Sequence, residues 1–313
     1  MATRIHPATD ESLQQIHTDL QALVAAGTTT YDAANLAATN ALASATKAAQ
    51  EAEYDRQVVM GTYAGRNLEA VFADEIAECA NVAEWLNGRV TTGDFTGLRV
   101  FDYVDITLSD GKVFRYRIAS VDPYLHACTP EITAHHVIMV PDQVWPDSVI
   151  WKSDNNNGTA TYKNPYRASN LYTWYNDTFF PKLPQEWRSV IATHRALLEE
   201  RYNASSTLNA SSSWSWCDLG KVWAPSEKEV YGDVAWGTPG YSQGFDCHFS
   251  EFFKTTGDRI RRNHNGDRCS WWLRGVSGSS SSHACYVYGI GIAHSSSVSG
   301  TYVRALPCFR VGV

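Results

Sequence analysis

Ser270-Trp271-Trp272-Leu273-Arg274-Gly275 and Tyr302-Val303-Arg304-Ala305-Leu306-Pro307-Cys308-Phe309-Arg310-Val311 bracket the last part of the chain, around which the rest is organised. Between these apolar, strand-like pieces lie a Gly/Ser run that includes Ser277 to His283, the segment Cys285-Tyr286-Val287-Tyr288-Gly289, and Ala293 to Gly300. Rigid hydrophobic anchors thus hold small, polar and tyrosine-rich connections, which is how binding loops are mounted on a scaffold. From Thr255 to Val313 there is no Glu, Lys, Gln or Met, although all four occur earlier. An ordinary solvated loop uses Lys and Glu freely. The residues filling the loops, Ser, Gly, His, Tyr, Asn, Arg and Asp, are ones that an AAC codon reaches when its adenines are randomised, whereas Lys, Glu, Gln, Met and Trp are outside that reach. The set equally matches a solvated Ser-Gly tract of low complexity, and composition leaves both readings open.

Working outward, 313 residues suffice for one large domain or two smaller ones, and a hydrophobic content of 44% is that of a globular protein. The net charge of -7 comes with no basic block, so nucleic acid is not expected as a partner. No apolar run approaches membrane-span length, and no membrane insertion is expected. Met1-Ala2-Thr3-Arg4-Ile5-His6 has no apolar signal core, so the usual secretory route is not expected. Seven cysteines without a C-x-x-C pair suggest reduced thiols. Eleven Trp and 16 Tyr, mostly beyond Tyr103, favour contact surfaces and dense cores alike.

Leu13, Ile16, Leu20 and Leu23 follow a helical spacing, with Asp10 or Ser12 as cap and Gly27 as the expected end. A second, Ala-rich helix is expected from Asp32 to Ala52. So narrow a stripe buries little alone, and residues 1–92 read as a helical oligomerisation or attachment arm. Leu68, Phe72, Ile76, Cys79, Ala83 and Leu86 predict a further helix ending at Gly88. The period then drops to two over Val113 to Val121, with Arg99 to Thr107 as partner strand and Ser109-Asp110-Gly111 as the turn. A β-containing domain over 93–313 follows. Ser169 is expected to cap a helix interrupted at Pro181 and Pro184, and Tyr202 to Ser213 reads as a loop. Ser226 and Glu229 have capping-box spacing behind Pro225.

Three blocks carry a resemblance: the Asn164-Pro165-Tyr166 to Trp187 run, Trp223-Ala224-Pro225-Ser226-Glu227-Lys228-Glu229-Val230-Tyr231-Gly232, and Trp271-Trp272-Leu273-Arg274. Followed by Tyr302-Val303-Arg304-Ala305, they resemble a domain of phage tail and bacterial surface proteins. It is similar to the formylglycine-generating-enzyme type of C-type lectin fold, whose diversified members are the variable proteins of diversity-generating retroelements, including phage tropism determinants. The resemblance covers about 93–313 and implies an α+β fold: a C-type-lectin-like domain behind a helical arm open to coiled-coil assembly. Trp271, Trp272 and Arg304 would then be scaffold, and about 263–302 the varied surface. Where the family commonly has a glycine, this chain has Tyr302.

The implied function is non-catalytic receptor binding by a phage tail protein carried on the virion. Its partners would be a host-surface protein or glycan, tail or baseplate proteins, and itself, as a homotrimer. The residues expected to face the ligand are Ser277, Ser279, Ser280, Ser281, Ser282, His283, Tyr286, Tyr288, His294, Ser295, Ser296, Ser297 and Tyr302. Alternation puts Tyr286 and Tyr288 on one side of a strand and Val287 on the other. The rivals are an oxidase of the formylglycine-generating type and a purely structural tail or baseplate component. The oxidase relatives use two closely spaced cysteines, whereas Cys269, Cys285 and Cys308 are far apart in sequence. Trp174-Tyr175-Asn176-Asp177 has no companion motif for calcium-dependent sugar binding. Cys247, His248, His264, Cys269, His283 and His294 lack zinc-ligand spacing, so neither a metal nor another cofactor is expected. Gly289-Ile290-Gly291 lacks the strand-turn-helix context of a phosphate loop.

Overall fold

Glu11 to Gln50 form an unbroken exposed helix surface within α1, Asp10–Met60, where two shorter helices are expected from the sequence. Gly27 does not end it. Thr28, Thr29 and Thr30 return their hydroxyls to the carbonyls of Val24, Ala25 and Ala26, each at 2.9 Å, as threonines inside a continuous helix do. One interior glycine costs about 1 kcal/mol against alanine, too little to break a long helix. The computed structural model describes residues 10–154, 165–199, 214–237 and 246–313, so the loop expected over 202–213 and the start of the block at Asn164 lie outside the described residues.

The chain divides into two compact units, Met1–Tyr63 and Ala64–Val313, so the boundary falls well before Gly93. The second unit takes in α2 (Leu68–Val71), α3 (Ala73–Ile76) and α4 (Val82–Thr91). Side chains explain why. Trp85, Leu86 and Val90 are core residues, Arg66 pairs with Asp102 at 2.8 Å, and Asn87 accepts the Val313 N–H at 3.0 Å. The single helix expected from Leu68 to Gly88 is thus three pieces. Asn81 caps the last one through the Glu84 N–H at 2.9 Å, and Gly88 lies inside it. The glycine that follows the helix is Gly93, at φ 71°, a left-handed position favouring a residue without Cβ.

The antiparallel pair β1 (Tyr103–Thr107) and β2 (Val113–Val121) forms in the expected register, with Asp105 opposite Arg115. β3 (Val137–Pro141) continues the sheet, and every residue in it is buried. After α5 (Asn170–Thr173), capped by Ser169 as expected, the helix passes through a π turn and a 3-10 turn at Pro181. Pro184 then starts α6 (Gln185–Val190). β4 (Ile191–Ala192), β5 (His194–Glu199), β6 (Trp214–Gly220) and β7 (Val222–Trp223) follow. α7 (Glu227–Tyr231) carries the expected capping box, and α8 (Thr256–Arg259) precedes the short pair β8 (Arg261–Arg262) and β9 (Arg268–Cys269).

The last segment closes the fold. β10 (Trp271–Val276), β11 (His283–Val287) and β12 (Ala293–Ser297) form their own antiparallel sheet. β13 (Cys308–Val311) returns to the large sheet, ordered β1-β2-β3-β13-β4, where it also pairs with β7. The architecture is α+β: a long N-terminal helix, then a curled antiparallel β region. Several of its buried rings have satisfied tips, as buried Tyr and Trp favour, whereas the indole N–H of the buried Trp223 has no hydrogen-bond partner. Tyr116 and Tyr175 donate to the carbonyls of Pro307 and Leu306 at 2.9 and 3.1 Å, and Trp151 donates to Leu273 at 3.0 Å. Among the described residues no helix is long and apolar enough to cross a membrane.

Candidate ligand-binding surface

Register sets one face of the small sheet. Trp272 opposes Tyr286, Tyr286 opposes His294, and Ala284 opposes Ser296, so these side chains share a face with Tyr288 two residues on. Tyr286 lies at the centre of a ring cluster, its centroid 5.9 Å from Trp272, 5.4 Å from His294, and 6.3 Å from both Tyr288 and Tyr302. Sequence reasoning expects both strand tyrosines on display. Instead Tyr286 is 4% exposed, and burial pushes its phenol up, while Tyr288 is 44% and Tyr302 54% exposed. The alternation orients both tyrosines alike, but the neighbours cover the inner one. Tyr286 is the floor of the face, and Tyr288, His294 and Tyr302 are its surface.

The serines divide in the same way. Ser279 is exposed, while Ser280, Ser281, Ser282, His283, Ser295 and Ser297 are half-buried. Ser277 and Ser296 are buried, contrary to the expectation that they face a ligand. Ser277 bonds Ser279 at 2.9 Å, and the Ser296 hydroxyl bonds that of Tyr302. His283 Nδ1 is 2.9 Å from the Ser280 hydroxyl and 3.1 Å from that of Ser282. The Val298 N–H donates to the Ser282 carbonyl at 2.9 Å and ties the end of β12, where the second serine run is strand rather than loop, to the turn before β11. Short hydroxyls satisfying their own turn backbone hold a loop in shape.

Three surface residues escape the sequence reading. Ile290 and Ile292, 48% and 45% exposed, follow Tyr288 in the turn to β12. Exposed apolar side chains in a turn were the available signal. Trp236 comes from a distant segment with no local pattern. It is 38% exposed, its ring stacks on His294 at 5.2 Å, and its indole N–H donates to the Ala293 carbonyl at 3.1 Å.

The same strand β10 contributes Arg274 to a buried ion cluster, built with the Ser226–Glu229 capping box. The Arg274 guanidinium makes a fork to Glu229 at 2.6 and 3.0 Å and reaches Asp246 at 3.0 Å. Burial works against its charge, but the two carboxylates outweigh that and hold Arg274 well above its ordinary value. Tyr124 also donates to Glu229. The neighbouring Glu227 is 3% exposed and accepts three backbone N–H groups, from Ala235 at 3.3 Å, Trp236 at 3.1 Å and Gly237 at 2.7 Å. Burial raises its pKa, and those donors pull in the opposite direction.

All seven cysteines are thiols. Cys269, Cys285 and Cys308 are buried, and burial pushes the Cys308 thiol well up, away from reactivity. Among the described residues no group of three or more His, Cys, Asp or Glu side chains is placed to hold a metal ion. Asn176, in the Trp174 to Asp177 run, accepts the Lys221 N–H at 2.9 Å and braces the β6–β7 turn.

The chain belongs to the family described as a domain of unknown function, DUF6273, whose family model matches residues 136–311, more than half of the chain. Neither the curated proteins nor the solved structures provide a match.

Proposed function

From a DUF6273 domain carrying this face, we propose a non-catalytic receptor-binding protein, a phage tail-associated host-recognition protein borne on the virion. The unit from Ala64 onward reads as a C-type-lectin-like domain of the formylglycine-generating-enzyme type. Its β10–β12 face and adjoining loops are the surface that codon diversification would vary. One observation carries the reading. Exposed Tyr288, Tyr302 and His294 gather on a braced sheet, within a stretch from 275 to 303 that contains no Asp, Glu, Lys or Arg. Large rings with few rotatable bonds supply contact area at small entropic cost, while short serines adapt their hydrogen bonds, and together they form a paratope-like chemistry. The buried Arg274 cluster and Tyr286 floor keep that surface rigid, so substitutions above it leave the fold intact.

The test is binding of the labelled full chain to isolated envelopes from a panel of bacterial species. Saturable binding to some of them is expected. Tyr288→Ala with Tyr302→Ala should weaken it by about tenfold or more, roughly 1.4 kcal/mol, and lower stability by about 1–2 kcal/mol, because the buried Ser296 hydroxyl loses its Tyr302 partner. Tyr286→Ala should lower the melting temperature further, because emptying a buried ring site costs about 3–5 kcal/mol. A double variant that binds as the parent does would remove this face from the reading.

A further inference from the structure

We infer that Trp236 completes this surface, that the buried Glu227 exists to position it, and that the ligand received there is a neutral saccharide. The inference rests on the receptor-binding reading above.

The backbone around Trp236 is fixed from both sides. Its N–H and those of Ala235 and Gly237 converge on the Glu227 carboxylate, while its carbonyl accepts the Gly278 N–H at 2.8 Å. Gly237 permits the approach, since a Cβ there would stand 2.9 Å from Glu227 Oε2. Burying a carboxylate costs several kcal/mol unless donors compensate, as three do here. What that buried charge holds in place is a tryptophan that stays 38% exposed, so core packing does not account for it. The indole N–H is already spent on Ala293 and one ring face is stacked on His294, so what the side chain has left to offer a ligand is the apolar remainder of its ring.

That surface lies beside His294 and, through it, the exposed Tyr288, with Tyr302 across the Tyr286 floor. The chemistry contributed by 275 to 303 is ring faces, hydroxyls and the exposed Ile290 and Ile292, and that stretch holds no Asp, Glu, Lys or Arg. Aromatic faces are electron-rich and attract the electropositive C–H face of a sugar ring. Serine and tyrosine hydroxyls exchange hydrogen bonds with sugar hydroxyls. Exposed Tyr and Trp suit a protein partner as well, but the arginine anchors and complementary rim charge that protein partners commonly meet, and the cations that a charged glycan needs, are absent from 275 to 303, which favours the neutral saccharide.

The experiment uses the full chain and envelopes that bind it, treated either with periodate, which cleaves vicinal diols, or with protease. Periodate should abolish binding and protease leave it, and uncharged polysaccharide extracted from the envelopes should compete. Trp236→Ala should weaken binding by about tenfold or more, and Trp236→Phe should restore most of it. Glu227→Gln and Glu227→Ala should weaken binding in that order. Combining Glu227→Ala with Trp236→Ala should add no further loss of affinity, a coupling that a merely stabilising role would not produce. Protease-sensitive, periodate-resistant binding overturns the saccharide assignment and leaves the receptor reading standing. Unchanged binding by Trp236→Ala, with loss in Tyr288→Ala, overturns the role of Trp236 alone. No binding to any envelope overturns both.

Discussion

Arg274 stands with a 2% exposed side chain between the buried carboxylates of Glu229 and Asp246, and a charge in that position stabilises only while all three are present. Arg274→Leu should cost about 3–5 kcal/mol, read from the denaturant midpoint, because two anions are left unpaired. A loss under about 1 kcal/mol would mean that the cluster is dispensable. Two histidines respond to pH. His136 is fully buried and neutral, its Nδ1–H directed at the Ala134 carbonyl at 3.0 Å while Nε2 accepts the Tyr124 N–H at 3.2 Å. Burial lowers its pKa from 6.5 to about 4. His194, packed on Trp223 at 4.3 Å with neither ring nitrogen hydrogen-bonded, is pushed well below its ordinary value, by burial first. Below the ordinary histidine pKa the unfolded chain takes up protons that these folded rings refuse. Their contribution is therefore undiminished above about pH 6.5 and is lost as pH falls, by about 1.4 kcal/mol per unit for each ring, down to about pH 4 for His136 and further for His194. Asp246, raised by burial first, acts in the opposite sense, since its folded form binds a proton sooner than the unfolded one. His194→Phe keeps the packing and removes one histidine without touching Asp246. Melting temperature against pH should thus fall less steeply in the variant than in the parent; equal slopes would contradict the assignment.

At the scale of elements, legibility followed how local the cause was. The β1–β2 hairpin, the Ser169 cap, the break at Pro181 and the Ser226–Glu229 capping box each depend on a few neighbouring residues, and all are where the sequence puts them. Gly27 and Gly88 mislead because glycine permits a helix end without enforcing one; α1 runs on through the first, and the packing of α4 carries that helix past the second. The candidate face was half legible. Alternation along β11 correctly grouped Tyr286 with Tyr288, but it cannot report how many rings crowd over one of them. That depends on His294 and Tyr302, brought in by β12 and the return to β13. Trp236 was invisible for the same reason: its place comes from a carboxylate nine residues earlier and a carbonyl on β12.

For the whole molecule, α1 poses a thermodynamic problem. Every residue from Glu11 to Gln50 is exposed, including Leu13 and Ile16 at 55%, Leu20 at 54% and Leu23 at 70%. Isolated helices are marginal in water, and most helical stability in proteins comes from packing an apolar face. This helix also bears Gly27 and a run of threonines, which lower its propensity. The spacing that starts at Leu13, Ile16, Leu20 and Leu23 continues as Gly27, Thr30, Ala34, Ala37, Ala41, Ser44 and Ala48, a 3-4 alternation whose small side chains allow close helix approach. Copies of the same helix supply a matching row at the same register, so α1 should assemble with itself, as a homotrimer. Light scattering on the full chain should give three times the 34.8 kDa of one chain. Ile16→Glu with Leu20→Glu places repelling charges along the seam. That variant should fall to the monomer mass and lose helical ellipticity, while the thermal transition of the unit from Ala64 onward persists. A parent chain that scatters as a monomer at micromolar concentration, with α1 fully helical, would mean that this helix holds its shape without a partner.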